Sequence, residues 1–144
     1  MDYRLANETK DVLIGLTESE LLNLAGSDSV WGSKVGGSLH LRAGNSSDEI
    51  RLYSGLNNSV NGNAGQDMIF LESTSPADGI IKGGTGNDLI QIISGNWGMH
   101  DGSIINGNGG DDLISVGLTN GSSAKGLNLH GGAGSDRFEN IQGI

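Results

Sequence analysis

The sequence predicts an all-β chain folded as a parallel β-solenoid of about six to seven coils. Three observations predict it. A glycine- and aspartate-bearing segment recurs from one end to the other, apolar residues keep phase with it at spacings of two, and the composition does not suit an ordinary globular core. The 144 residues include 26 glycines, one proline and only 4 % aromatics, whereas globular cores use aromatic rings as large fillers. A glycine-rich acidic chain invites disorder. Here, however, the 35 % of hydrophobic residues fall at regular places, which a disordered chain has no reason to keep.

The recurring segment stands intact as Gly83-Gly84-Thr85-Gly86-Asn87-Asp88 and as Gly131-Gly132-Ala133-Gly134-Ser135-Asp136. Near copies are Gly107-Asn108-Gly109-Gly110-Asp111-Asp112 and Gly62-Asn63-Ala64-Gly65-Gln66-Asp67. Weaker ones end at Asp48 and Asp28, and a relic without glycine ends at Asp11. Counting each aspartate as position six, successive copies lie 17, 20, 19, 21, 24 and 24 residues apart. The repeat therefore occupies the whole chain. Residues 1–22 read as an N-terminal cap with a degenerate first coil, and 23–144 as the solenoid itself.

The apolar residues test this phase independently of the glycines. Two residues after each aspartate stand Leu13, Val30, Ile50, Ile69, Ile90, Ile114 and Phe138. Two before each motif stand Leu21, Leu41, Val60, Ile81, Ile105 and Leu129, with Arg4 in the first copy. Leu52, Leu71, Ile92 and Val116 follow four residues after the aspartate in the middle copies. Alternation by two marks short strands with one buried face. Each unit reads as strand, motif turn, strand and variable loop. The loops, Ser54 to Ser59, Glu72 to Gly79, Ser94 to Ser103 and Gly117 to Gly126, are rich in Gly, Asn and Ser and read as surface turns. Thr17-Glu18-Ser19-Glu20 has the spacing of a capping box and predicts a short helical turn.

The motif resembles the nonapeptide of the RTX (repeats-in-toxin) proteins, a calcium-binding parallel β-helix repeat. The resemblance implies a β-roll with a row of calcium-binding turns. RTX relatives usually carry a motif at both turns of each coil; this chain has variable loops at the second, which predicts a single calcium row. Matched residue by residue, the resemblance implies Asp88, Asp112 and Asp136 as ligands, then Asp67, with Asp48 and Asp28 on turns short of glycines. It implies carbonyl donors at motif positions two and four: Asn63, Gly65, Gly84, Gly86, Asn108, Gly110, Gly132 and Gly134. About four to five Ca2+ ions are expected, between consecutive turns.

The physical reason is direct. Glycines let the backbone take φ > 0 and approach a neighbour closely, and calcium accepts six to eight hard oxygen ligands in flexible geometry. Coils stacked at about 4.8 Å would set carboxylates at a distance where each pair repels by roughly 1 kcal/mol in water. Seven of the eleven aspartates occupy position six, so a column of like charges held in register implies a counterion. The small aliphatic core predicts folding that depends on calcium.

Other chemistries find no support. The net charge of −9 argues against nucleic acid and anionic membranes and favours cations. There is no cysteine, no apolar run of transmembrane length, and no Sec-type stretch after Met1-Asp2-Tyr3-Arg4. Asn57 to Met68 imitates an EF-hand loop but ends on Met68 where glutamate is needed. His40, His100 and His130 are scattered and read as solvated. No Gly-x-Ser-x-Gly elbow occurs, and the chain reads as non-enzymatic. Two glycosylation-like tripeptides, at Asn45 and Asn120, are common by chance in this composition. Trp97, Met99 and His100 share one long loop as a candidate contact patch. The expected function is a calcium-stabilised structural module of an extracellular, cell-surface or virion protein. Self-association or docking through an uncapped C-terminal coil is expected of it. The alternatives are an adhesin or ice-binding module, or the accessory tract of a larger secreted enzyme.

Overall fold

The structure, a computed structural model, describes residues 2–5, 12–16, 20–23, 29–33, 39–52, 58–73, 79–94, 103–118 and 126–139. They form fourteen strands in chain order: β1 (Asp2–Leu5), β2 (Val12–Leu16), β3 (Glu20–Asn23), β4 (Ser29–Ser33), β5 (Leu39–Arg42), β6 (Glu49–Leu52) and β7 (Asn58–Ala64), then β8 (Met68–Ser73), β9 (Gly79–Thr85), β10 (Leu89–Ser94), β11 (Ile104–Gly109), β12 (Leu113–Leu118), β13 (Asn128–Ala133) and β14 (Arg137–Glu139). Among the described residues there is no helix. Odd-numbered strands form one seven-stranded sheet and even-numbered strands a second. Every pairing is parallel. Each unit of sequence thus adds one strand to each sheet, and its neighbours in space are the preceding and following units.

The register follows the apolar phase. In the second sheet Leu13, Val30, Ile50, Ile69, Ile90, Ile114 and Phe138 form one continuous row. Leu52, Leu71, Ile92 and Val116 form another. Leu41, Val60, Ile81, Ile105 and Leu129 align in the first sheet. Side chains of both sheets meet in one core, in which Ile50, Ile69, Ile90, Ile92, Ile105 and Ile114 are wholly buried. Burying such a side chain contributes roughly 1.5–3 kcal/mol, and β-branched residues suit the pleated surface that presents them. Phe138 and Leu129 share these rows but lie on the last described strand pair. Phe138 stays exposed there.

Two expectations need correction. The first-sheet row passes through Leu22, which pairs with Leu41 and Arg4, and not through Leu21. The motif preceding Asp28 has too few glycines to mark its own start, so either adjacent leucine satisfies the apolar pattern, and one residue fewer separates Leu22 from Val30 than Val60 from Ile69. The variable segments are also shorter than the sequence suggests. Asn58 and Ser59, Glu72 and Ser73, Ser94, and Gly117 and Leu118 belong to strands, and Gly79 opens one. Glu20 likewise opens β3, while Thr17 to Ser19 lie outside the described residues. So do Asp11, Asp28 and the Trp97–His100 patch.

Candidate metal centre

The motif is half strand and half turn. Positions one to three close the first-sheet strand, positions four to six turn, and position seven opens the second-sheet strand. Because side chains alternate across a strand, the aspartate at position six shares the inner face with the apolar residues two and four places on. Asp48, Asp67, Asp88 and Asp112 are accordingly buried, each no more than 2 % exposed, at the edge of the aliphatic core.

The carboxylates of Asp67, Asp88, Asp112 and Asp136 are each tied to the preceding unit. The backbone N–H of Asp48 donates to Asp67 Oδ1 at 2.9 Å, that of Asp67 to Asp88 Oδ1 at 2.9 Å, that of Asp88 to Asp112 Oδ1 at 2.9 Å, and that of Asp112 to Asp136 Oδ1 at 3.1 Å. A second ladder runs on the outside in the opposite sense. The N–H groups of Gln66, Asp111 and Ser135 donate back to Ser47 Oγ, Asn87 Oδ1 and Asp111 Oδ1, at 3.1, 2.9 and 2.8 Å. These bonds satisfy turn N–H groups that the sheet ladders cannot reach.

The inner ladder uses one oxygen of each carboxylate. The other, Oδ2 of Asp67, Asp88 and Asp112, is buried without a hydrogen-bond partner. It lies over the glycine at position one of its own unit. A Cβ on Gly62, Gly83 or Gly107 would collide with that oxygen and would also crowd the carbonyl of Gly83, Gly107 or Gly131 in the next unit. Glycine at position one is therefore the space in which a carboxylate oxygen and a carbonyl oxygen face each other. An unpaired buried charge is costly, and the titration reflects it. Burial pushes the carboxyls of Asp67 and Asp112 up, against the hydrogen bond from the preceding aspartate's N–H. Asp88 is pushed from 3.8 to about 7, by burial first and also by the charges of Asp67 and Asp112.

Positions two and four, the expected carbonyl donors, share one backbone conformation. Asn63, Gly65, Gly84, Gly86, Asn108, Gly110, Gly132 and Gly134 all have positive φ, between 73° and 144°. Their carbonyls run along the stack: Asn63 O meets Gly84, Gly65 O meets Gly86, Gly86 O meets Gly110, Asn108 O meets Gly132, and Gly110 O meets Gly134. The carbonyls that come beside the unpaired Oδ2 atoms are those of Gly83, Gly107 and Gly131, which sequence reasoning did not single out. A signal for them existed. All four best copies keep glycine at position one, whereas position two alternates between Asn and Gly.

Among the described residues no three His, Cys, Asp or Glu side chains converge on a point. A site made of side chains alone, such as zinc uses, is thus absent from them. What each turn offers is one carboxylate oxygen and backbone carbonyls, a donor set of hard oxygens only. No protein-family model, curated protein or solved structure matches this chain.

Proposed function

We propose that the chain is a calcium-binding structural module, an RTX-like β-roll whose stacking is completed by Ca2+ along the aspartate column. The observation that carries this reading is the column of buried carboxylates at Asp67, Asp88 and Asp112, each with one oxygen bonded to the preceding unit and the other facing a carbonyl with no donor between them. Hard-oxygen donors in that mixture are what calcium takes. Asp67, Asp88, Asp112 and Asp136 would supply carboxylate oxygen, with carbonyls of Gly83, Gly107 and Gly131 beside the first three. Asp48 and Asp28 would belong to weaker turns: Ala43 and Asn23 stand at position one of these units, where the four best copies have glycine. The bound ion would neutralise the column and remove the repulsion between successive turns. In this reading the module has no catalytic role and serves at an extracellular, cell or virion surface.

Calcium titration followed by far-UV circular dichroism and native mass spectrometry tests it. Structure gained on moving from EDTA to millimolar Ca2+, with about four to five ions retained, supports the proposal. Identical spectra in both buffers and no retained ion would defeat it.

A further inference from the structure

The outer face of the first sheet carries a second pattern, unrelated to the turns. At position zero, just before each motif, strand register aligns Arg42, Asn61, Lys82, Asn106 and His130 in one row. Asn61 and Asn106 alternate along it with the basic residues Arg42, Lys82 and His130. Part of this alternation has a local cause. Where position two is an asparagine at positive φ, the position-zero asparagine folds back to hold it: Asn61 Oδ1 accepts the Asn63 N–H at 3.1 Å and Asn106 Oδ1 accepts the Asn108 N–H at 3.0 Å. That bond commits the carbonyl oxygen of each side chain and leaves its Nδ2 as a donor. Where position two is glycine, no such support is needed and position zero carries Lys82 or His130. The row therefore presents donors throughout.

The cations in this row are also uncommitted. On the second sheet Arg51 pairs with Glu49 and stacks on Phe70, and Arg137 pairs with Glu139. Among the described residues, Arg42 and Lys82 meet no carboxylate, and both are exposed. The outer positions of β5, β7, β9, β11 and β13 contain no acidic residue. Four of the seventeen acidic residues, Asp48, Asp67, Asp88 and Asp112, lie inward at the turns. Between Arg42 and Lys82 a shallow groove of about 220 Å³ opens, lined by Ser59, Asn61 and Ile80.

We propose that this face binds a linear anionic polysaccharide carrying one carboxylate or sulfate per disaccharide. Successive cations are two strands apart, about 9.5 Å. One sugar of an extended pyranose chain advances about as far as one strand spacing, so every second sugar meets a cation. The intervening sugars meet Asn61 and Asn106, whose amides donate to hydroxyl or ring oxygens. Nucleic acid fits less well, because single strands need aromatic platforms on which bases stack and the row of Arg42, Asn61, Lys82 and Asn106 holds none before His130. The inference rests on strand register and not on what occupies the turns.

The test uses the whole chain in millimolar Ca2+ at low ionic strength, with its fold checked by circular dichroism. Oligosaccharides of hyaluronate (one carboxylate per disaccharide) and of kappa-carrageenan (one sulfate per disaccharide, no carboxylate), neutral dextran and oligothymidylate are titrated by calorimetry. Hyaluronate or kappa-carrageenan should bind and dextran should not, with the stronger of the two identifying carboxylate or sulfate. The Arg42→Ala/Lys82→Ala double variant should bind roughly tenfold more weakly, and Arg42→Gln/Lys82→Gln serves if it misfolds. Arg51→Ala/Arg137→Ala should bind like the wild type. The proposal is overturned if the wild type binds neither glycan, if both double variants lose binding equally, or if oligothymidylate binds as tightly as the glycans.

Discussion

Substituting Asp88 by Asn should stabilise the protein in chelator and destabilise it in calcium, a reversal of sign that a purely structural aspartate would not produce. Asparagine keeps an Oδ1 to accept the Asp67 N–H, which Asp88 now binds at 2.9 Å. In place of the unpaired Oδ2 it puts an amide donor, in the space shared with the Gly107 carbonyl. The folded state holds the Asp88 proton more tightly than the unfolded chain, since the pKa rises from 3.8 to about 7. The stability linked to this group is thus complete below pH 3.8 and is lost as pH climbs through about 7. The shift corresponds to roughly 4 kcal/mol before solvent screening and to about 2 kcal/mol after allowing for it. In EDTA at pH 8, Asp88→Asn should recover that amount, and the loss of structure between pH 4 and 8 should be smaller than in the wild type. If Asp88 ligates calcium as proposed, the variant should lose in calcium about 2.7 kcal/mol, the contribution of a site filled at a hundredfold excess over Kd. Urea unfolding followed by circular dichroism, in both buffers, reads both signs. A variant that shifts the midpoint the same way in EDTA and in calcium would refute the claim that Asp88 is an unpaired charge awaiting a cation.

Two further substitutions probe the geometry. Gly83→Ala should cost about 1–3 kcal/mol, because its Cβ would collide with Asp88 Oδ2 and lie 2.8 Å from the Gly107 carbonyl. Gly109→Ala, whose nearest neighbour would be 3.9 Å away, should stay within about 0.5 kcal/mol; equal losses in urea midpoints would contradict the cradle at position one. Ile90→Ala should destabilise by about 2–5 kcal/mol, since Ile90 is wholly buried and stands between Ile69 and Ile114 in one row. Ile93→Ala on the exposed side of the same strand should cost far less, and a melting curve for each variant decides it.

Most of the second sheet was legible in advance. A residue two places after an aspartate is apolar in every unit, and a parallel ladder has no choice but to stack these like on like. The first sheet was legible only where glycines marked the motif; at Leu21 and Leu22 two adjacent leucines left the phase open. The candidate site was legible as a set of aspartates. It was not legible as a geometry, because which carbonyl comes beside an aspartate depends on how the next unit lies over the first.

The amino-acid order by itself determined the all-β character, from apolar alternation by two, and the unit length, from the spacing of the aspartates, and it set Asp48, Asp67, Asp88 and Asp112 in phase with the apolar residues. Only the tertiary structure decided what crosses between strands. It gave one carboxylate oxygen to the neighbouring unit's N–H and left the other beside a position-one carbonyl, and it brought Arg42, Asn61 and Lys82 into line on the opposite face. Those relations join residues about twenty positions apart, and unequal intervening segments hide them until register is known. Local periodicity reports the direction in which a side chain points; stacking alone reports its neighbour.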